Sequence, residues 1–439
     1  MKIKILPFLS RFDTLPCKGD TELMKIKNTT LGWIICFLAA IFYCYEYLLR
    51  VAPSVMILEL MQSFKVSATE FGILTAVFYF VYTPMQLIVG PLSDLYGARR
   101  ILILAIISCT VGSYLFSIAH ILVVAAIGRA LIGFGSAFAF VCILKLTDSW
   151  LPRRFFALFV GIATALGMIG AIFQVTVLGS LVHDIGWKST IHIGTIVGII
   201  LIPVIWLVVR DNPDDVTIIK PQYRNFFFDF LSILKNPQMW LNGFIGCIMY
   251  LSLSAFAESW GTRSLTVIYN LSPFDARYSC ALVFVGWLIG SPFVGYVSDV
   301  CHSRKIPLLI GSFFATILIS LIIYCPHNNI SLLFWLLFLF GFFSSCEILC
   351  FAISSENTTK NMIATASAFT NFVVMISGMA SQPLIGKILD LTWTGKMLHG
   401  VRIYSLINYQ LALTVLPVGF FLGFILIFWL RETGNKVSV

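Results

Sequence analysis

Long runs of apolar residues dominate the chain, and polar residues are confined to short stretches between them. A helix needs about 20 mostly apolar residues to cross a bilayer. On that spacing the sequence predicts twelve membrane-spanning helices, at 31–57, 69–93, 100–119, 121–146, 155–182, 190–209, 238–262, 274–299, 306–325, 331–355, 361–389 and 404–430. Continuous apolar runs exclude a transmembrane β-barrel, whose strands alternate in polarity over about ten residues.

The longest polar stretch inside the chain separates the sixth predicted helix from the seventh. It is rich in Pro, Asp and Asn, which break helices, and it ends in FFFDFLSIL, which is typical of a short helix on a membrane surface. We therefore predict an all-α polytopic membrane protein with two six-helix bundles, at 29–210 and 238–431. The remaining segments are a tail at 1–28, a linker at 211–237 and a tail at 432–439.

A polar motif recurs once in each half of the chain. GPLSDLYGARR (residues 90–100) lies between the second and third predicted helices, and GYVSDVCHSRK (residues 295–305) lies between the eighth and ninth. Their acids, Asp94 and Asp299, share the same place in the motif. The repeat indicates two pseudo-symmetric copies of one unit, an arrangement that places a substrate path on the axis between them.

Composition and charge narrow the class of protein further. Of the 439 residues, 59% are hydrophobic and only 11% are charged, against about 25% charged in a soluble protein. The net charge of +9 lies in short loops, mostly on one side of the predicted helices, so it indicates cytoplasmic termini and no nucleic-acid partner. Eleven scattered Cys without a CxxC pair predict neither a metal site nor disulfides. The GxxxxGK[ST] loop is absent, so ATP is not expected to drive the protein, and no cofactor is expected.

These motifs resemble the major facilitator superfamily. Gly90, Asp94, Gly97 and Arg99 occupy the positions of its loop motif, and GRALIGFGSAF, with Arg129 at its second position, resembles its fourth helix. YEYLLRVAPS and GWLIGSPFVGYVSD resemble the first and eighth helices of the sugar-phosphate and organic-anion permease branch. Lysosomal dipeptide porters share the same general patterns. The resemblance implies one central site reached alternately from each side of the membrane.

Charged residues inside predicted membrane helices are the candidates for chemistry, because each is costly to bury there. Glu46 and Arg50 are four residues apart, so they share one helix face. Arg50 either anchors a carboxylate or phosphate through its planar fork or is satisfied by Glu46 alone. Arg129 is either a second cation in the site or a structural arginine. Tyr45 and Tyr47 are candidates to line the same cavity.

Two further acids are candidates for proton coupling together with Glu46. Glu258 and Glu347 lie in predicted helices without a charged neighbour on the same turn. The alternatives are pairing of Glu258 with Arg263 and of Glu347 with Lys145. Four amide side chains could hydrogen-bond the substrate or simply bridge helices; they are Gln86, Gln174, Asn371 and Gln382, of which Gln174 and Asn371 are the predicted binding residues.

The repeated motif is predicted to form a cytoplasmic gate. Its acid could accept hydrogen bonds at the start of a neighbouring helix, where the helix dipole favours an anion. Such contacts would join the two halves and break as the protein opens inward. The predicted gate residues are Gly90, Asp94, Gly97, Arg99, Asp299 and Arg304.

Together these features predict a monomeric secondary transporter in a bacterial inner membrane. Its expected partners are the lipid bilayer, protons and a small anionic or zwitterionic solute: an organic acid, a sugar phosphate, an amino acid or a dipeptide. The first alternative is an exporter of drugs or siderophores. The remaining alternatives are a membrane-embedded enzyme and a sensor that no longer transports.

Overall fold

The structure is a computed structural model that describes residues 21–211, 231–359, 362–398 and 400–433. These residues are almost entirely helical, and eleven helices are long and apolar enough to cross a membrane unaided. A two-stranded antiparallel sheet, β1 (Met397–Leu398) and β2 (Val401–Arg402), lies in the loop after the eleventh crossing. The predicted surface helix at FFFDFLSIL lies mostly outside the described residues.

The first half contributes spans 1 to 6, joined by short turns. Their helices are Thr21–Val51 with the 3₁₀ turn Ala52–Val55 (span 1), Ala68–Met85 with Val89–Tyr96 (span 2), Ala98–Ile118 (span 3), Leu122–Trp150 (span 4), Arg153–Phe173 with the π-helical Gln174–Leu178 and Gly179–Ile185 (span 5), and Trp187–Val208 (span 6). A short helix, Ile57–Phe64, lies between spans 1 and 2.

Span 2 supplies the twelfth crossing. Its helix Ala68–Met85 is long and apolar enough for a membrane crossing only together with Ile57–Phe64. The axes of these two helices are bent by 109° relative to each other. Pro84 lies near the end of this helix, and residues 86–88 continue with tighter i→i−3 hydrogen bonds. Helix Val89–Tyr96 then extends the crossing, so the chain from Ala68 to Tyr96 is long enough to traverse a bilayer.

The second half contributes spans 7 to 12. Their helices are Pro237–Met249 with the π-helical Ser252–Trp260 and Gly261–Ile268 (span 7), Pro273–Val300 (span 8), Lys305–Tyr324 (span 9), Ile330–Ser344 with the 3₁₀ turn Ser345–Ile348 and Leu349–Glu356 (span 10), Ile363–Leu391 (span 11), and Leu406–Leu413 with Val415–Ile427 (span 12). The predicted twelve-helix, two-bundle fold is therefore confirmed.

Several predicted boundaries differ from the observed ones by a few residues or more, and two of these differences have identifiable reasons. Span 1 leaves the α-helix at Val51 rather than residue 57, because Pro53 lacks a backbone N–H and restricts the residue before it. Span 7 runs six residues beyond the predicted 262, to Ile268, because the helix continues through the charged residue Arg263. The Arg263 side chain instead reaches Thr266 within its own helix.

The two halves meet along spans 2 and 11, spans 5 and 8, and the ends of spans 1 and 7. Small residues allow this close approach. A Cβ on Gly386 of span 11 would collide with the backbone of Ala68 in span 2. Within the first half, Gly133 of span 4 lies in the same way against the Phe78 backbone of span 2.

The repeated loop motif has the same backbone form in both halves. Gly97 precedes span 3 with φ of 83°, and His302 stands at the matching place before span 9 with φ of 49°. Glycine adopts this left-handed region freely, whereas a side chain is strained there. An acid that follows the sixth span of each half, Asp211 or Glu432, then accepts the backbone N–H of Arg99 or Arg304.

Candidate functional site

A buried ion pair in span 1 lies where the two halves meet. Arg50 Nη2 donates to Glu46 Oε1 at 3.0 Å, with the two side chains 1% and 0% exposed. The guanidinium carbon lies 4.3 Å from the ring centre of Tyr47 and 4.8 Å from that of Tyr82. Aromatic faces stabilise a desolvated cation. Because Arg50 Nε and Glu46 Oε2 have no hydrogen-bond partner among the described residues, the pair retains binding capacity.

Arg129 supports the end of the helix that carries Arg50. Its Nη1 donates to the carbonyl of Leu49 at 2.9 Å and its Nη2 to that of Arg50 at 3.3 Å. The last carbonyls of a helix lack intrahelical partners and carry the negative end of the helix dipole. Arg129 therefore positions Arg50 through the backbone, which is the structural alternative left open by the sequence.

A hydrogen-bonded chain continues from Arg50 into the second half. Arg50 Nη1 donates to the Tyr250 hydroxyl at 3.4 Å, and that hydroxyl donates to Glu258 Oε1 at 3.2 Å. Glu258 Oε2 also accepts a hydrogen bond from Tyr79 of span 2. Glu258 therefore pairs with two tyrosines rather than with Arg263, and the chain from Glu46 to Tyr79 crosses between the halves twice.

The Glu258 carboxylate is carried by the π-helical part of span 7. Such segments interrupt the regular helix and are frequent at functional sites. Tyr79 reaches Glu258 beside Gly378 of span 11, where an added Cβ would lie 2.5 Å from the Tyr79 ring. The sequence predicted Glu258 as a candidate but gave no signal for Tyr79, which lies 179 residues away along the chain. Sequence reasoning also missed Tyr250, although it lies only eight residues away on the same span.

A cavity of about 550 Å³ lies between spans 5 and 8, and Trp287 connects it to the charged chain. The cavity is lined mainly by apolar groups, with Thr164 and Ser291 among the few polar ones. The Trp287 ring lies edge-on to Tyr250 with centroids 6.3 Å apart, and its Nε1 is buried without a hydrogen-bond partner among the described residues. The volume of the cavity suits a small organic ligand. Sequence reasoning missed Trp287.

The other predicted binding residues fall into different surroundings. Tyr47 stacks on Arg50, whereas the Tyr45 hydroxyl lies against Gly198 of span 6, inside the first bundle. The prediction that Tyr45 lines the cavity was therefore wrong, because its helix face turns toward span 6. Asn371 donates to Gln86 at 2.8 Å and so bridges spans 11 and 2. Gln174 is buried in the π-helical part of span 5 with its amide nitrogen unpartnered among the described residues.

Glu347 lies in the 3₁₀ turn of span 10 beside Ile348, which lines the cavity. It is 3% exposed and forms no hydrogen bond or ion pair with any residue that the structure describes. Lys145, its suggested partner, instead donates to Asp94 at 2.9 Å. Glu347 is thus separate from the chain that contains Glu46 and Glu258.

One end of the molecule is closed by hydrogen bonds between the halves, and we call it the clasp end (Thr69, Asp390 and Tyr404). Asp390 of span 11 accepts the backbone N–H of Thr69 at 2.8 Å, at the start of span 2. Its other oxygen accepts from Tyr404 at 2.6 Å and from Arg402 at 3.0 Å. The Tyr404 hydroxyl also accepts the Ala68 N–H at 3.2 Å. A carboxylate of one half therefore stabilises a helix start of the other.

Among the described residues, the opposite end, which we call the loop end (residues 90–100 and 295–305), forms its hydrogen bonds within each half. Asp94 pairs with Lys145, and Arg99 Nη2 donates to the Trp206 carbonyl at 2.7 Å. Arg304 donates to Asp299 and, through Nη2, to Glu356 at 2.8 Å. Each of these contacts stays within its own half. Gly90 and Gly295 face open space at the Cβ position.

Twelve spans in two bundles, with a charged chain and a cavity between the bundles, define a polytopic membrane transporter. The sequence profile of the Major Facilitator Superfamily matches residues 35–382. The chain therefore belongs to the Major Facilitator Superfamily, as its motifs indicated.

Curated relatives are similar over most of the chain. A probable L-galactonate transporter of Escherichia coli (strain K12) is 25% identical over 398 residues, 85% of each chain. A hexuronate transporter of Bacillus subtilis (strain 168) is 22% identical over 82% of this chain and 88% of its own. The membrane sensor protein UhpC of E. coli (strain K12) is 22% identical over 89% of this chain and 93% of its own.

A solved structure shares the fold. It is a bacterial homolog of the human lysosomal transporter Spinster, in an inward-facing and unoccupied conformation. It covers 91% of this chain and 97% of its own, with a TM-score of 0.74 and 15% sequence identity. At this identity the likeness shows the fold alone.

Proposed function

We propose that the protein is a secondary transporter that moves a sugar acid, of the hexuronate or galactonate kind, across the membrane by alternating access. The observation that carries this proposal is the Arg50 guanidinium, buried at the junction of the halves with an unpartnered Nε. A planar guanidinium matches a carboxylate through paired hydrogen bonds. The relatives named for L-galactonate and hexuronate transport support the same ligand class.

The mostly apolar cavity and the charged chain beside it together favour a ligand with both a charged and an uncharged part. The carboxylate would meet Arg50, and the Trp287 Nε1, one tyrosine away, would donate to a hydroxyl of the sugar chain. A mostly apolar cavity also favours the drug-exporter alternative. However, a purely apolar ligand would leave the buried donors of Arg50 and Trp287 unpaired, which costs about 1–3 kcal/mol for each.

The test is uptake of radiolabelled galacturonate and L-galactonate into proteoliposomes. Arg50→Lys keeps the charge but loses the fork, so we expect uptake to fall at least tenfold, about 1.4 kcal/mol or more. Arg154→Lys, at an exposed arginine stacked on Phe155, is the matched control and should transport normally. Efflux of a cationic dye with no sugar-acid uptake would reject the proposal in favour of an exporter.

Proton coupling belongs to the same proposal, with Glu46 and Glu258 as the coupling acids and Glu347 as a third candidate. Glu258 is bonded from both halves, so its protonation would weaken contacts that hold them together. We expect Glu258→Gln to abolish accumulation driven by an acidic exterior while substrate exchange across the liposome membrane continues. If the unmodified protein only equilibrates the substrate across the membrane, whatever the pH gradient, it is a uniporter.

A sensor is the second candidate, because one relative of nearly full length is named a membrane sensor protein. A sensor would bind the sugar acid, so the ligand would raise the melting temperature of the protein. The same protein would show no uptake into proteoliposomes. We further propose that the loop end faces the cytoplasm of a bacterial cell, with the protein a monomer in the inner membrane. The excess of Lys and Arg in the loops on that side supports this orientation.

A further inference from the structure

A second, smaller pocket lies at the clasp end, and both halves contribute to it. Its volume is about 120 Å³, which corresponds to about four water molecules. From the first half it is lined by the end of span 1, helix Ile57–Phe64 and the end of span 5. From the second half it is lined by the end of span 7 and the start of span 8. It lies apart from the 550 Å³ cavity and shares none of its lining residues.

Four of the residues that line this pocket each carry a buried polar atom with no hydrogen-bond partner among the described residues. The four atoms are Ser54 Oγ, Thr262 Oγ1, Arg263 Nε and Arg277 Nε. All four are hydrogen-bond donors, and two of them belong to guanidinium groups. An unsatisfied buried donor costs about 1–3 kcal/mol, so four around one space indicate a missing acceptor.

Arg277 lines the pocket, is 8% exposed and reaches from the second half to the first. Its Nη2 donates to Ser180 Oγ of span 5 at 3.5 Å. Its side chain passes over Gly179, where an added Cβ would lie 2.7 Å from Arg277 Cδ. Span 5 thus provides the space that lets this cation reach the pocket.

The charges around the pocket favour an anion. The lining of the pocket contains two arginines but only one acid, Glu59. His183 also lines the pocket, but it is highly exposed and lies beside Asp184. Hydroxyl and guanidinium donors around one small space match the acceptors of a carboxylate or of a halide ion. A whole sugar acid suits the 550 Å³ cavity rather than a space of about four waters.

We propose that this clasp-end pocket binds one small anion, either a carboxylate or an inorganic anion such as chloride, between the two halves. Because residues of both halves would contact the anion, binding favours the conformation that is closed at this end. The site goes beyond the proposed transport function, since it lies apart from Arg50 and does not require a sugar acid.

The test is thermal unfolding of the purified full-length protein at constant ionic strength. Sodium chloride or sodium acetate replaces, stepwise, the sodium salt of a bulky sulfonate buffer. We expect a saturable rise in melting temperature of about 1–3 °C, which Arg277→Gln and Arg263→Gln each abolish and Arg277→Lys partly retains. Lys396→Gln, at an exposed lysine of the same end, is the matched control and should leave the rise unchanged.

The same titration in an Arg50→Gln background separates this site from the central one. The rise should persist there even if the proposed transport function is wrong. A response to chloride alone identifies an inorganic-anion site, and a response to acetate identifies a carboxylate site. No response to either anion, or an equal response in the Arg277→Gln and Arg263→Gln variants, would show a pocket filled by water only and overturn the proposal.

Discussion

The clasp end and the loop end of the molecule use the same kind of contact for opposite purposes. At the clasp end, Asp390 of the second half accepts the N–H of Thr69 at the start of a helix in the first half. At the loop end, Asp211 and Glu432 accept the N–H groups of Arg99 and Arg304, each within its own half. Carboxylates at helix starts therefore join the halves at one end and brace each half at the other.

The different hydrogen bonding at the two ends indicates which conformation the structure represents. The halves are bonded together at the clasp end, whereas the 550 Å³ cavity lies between the spans nearer the loop end. Under the proposed orientation, with the loop end in the cytoplasm, the structure is closed to the outside. The Glu46–Arg50–Tyr250–Glu258 chain lies between the two ends and contacts both halves.

The largest effect is expected from Asp390→Asn, which weakens the contact that joins the halves. Asp390 accepts hydrogen bonds from Thr69, Tyr404 and Arg402, and loss of its charge should cost the closed conformation about 2 kcal/mol. The ratio of closed to open molecules should then fall about thirtyfold. Spin labels at Lys65→Cys and Lys396→Cys, exposed residues of opposite halves, would report this as longer distances.

The matched control for the clasp is Asp184→Asn. Asp184 lies at the same end but is 65% exposed and contacts only its neighbour His183 among the ion pairs described. The labelled background would carry serine at the exposed Cys301 and Cys325. If both variants gave the distances of the unmodified protein, Asp390 would not hold the clasp end closed.

The sequence alone was sufficient to predict the features that repeat along it. Apolar runs of membrane length predicted the twelve spans, and the motif around Asp94 and Asp299 predicted the duplication, because both depend on local composition. Glu46 and Arg50 could be paired from spacing alone, since residues four apart share a helix face.

Contacts between distant spans could not be predicted from the sequence. Tyr79 reaches Glu258 only once spans 2 and 7 are in place. Tyr250 likewise meets Arg50 of span 1, and Trp287 of span 8 meets Tyr250, only in the folded protein. The clasp shows the same limit: the sequence pointed to a cross-half contact by the loop-motif acid, whereas the structure has one at Asp390. Nothing local distinguishes Asp390 from any other acid at the end of a helix.

A smaller effect is expected from Arg304→Gln at the loop end. Burial opposes the charge of Arg304, but hydrogen bonds to Glu356 and Asp299 raise its pKa above the ordinary value. The variant removes the cationic partner of both acids, although Glu356 keeps a hydrogen bond from Thr433. We therefore expect a loss of about 1 kcal/mol in stability, seen as a lower melting temperature. The clasp-end label distances should not change, because these contacts lie within one half.

The equivalent change in the first half sharpens this expectation. The Arg99 side chain donates to a single backbone carbonyl, that of Trp206. Arg99→Gln should therefore lower the melting temperature less than Arg304→Gln does. Equal losses would mean that the backbone caps by Asp211 and Glu432, rather than the ion pairs, hold each half together.

The smallest effect on stability is expected from Asp94→Asn. The Asp94–Lys145 pair is 53% and 29% exposed, and pairs of this kind contribute about 0–1 kcal/mol. The gate prediction nevertheless requires a conformational effect. If Asp94 bonds across the halves when the loop end is closed, its loss should shift the labels toward the closed clasp end.

Lys145→Gln separates the two roles of Asp94, because it removes the same ion pair but leaves the carboxylate free to reach the other half. Under the gate proposal, Asp94→Asn shifts the clasp-end distances and Lys145→Gln does not. If neither variant shifts them, Asp94 is only the partner of Lys145 and the loop end has no gate at this position. Equal shifts would instead place the effect in the first half itself, since both variants break the contact between spans 2 and 4.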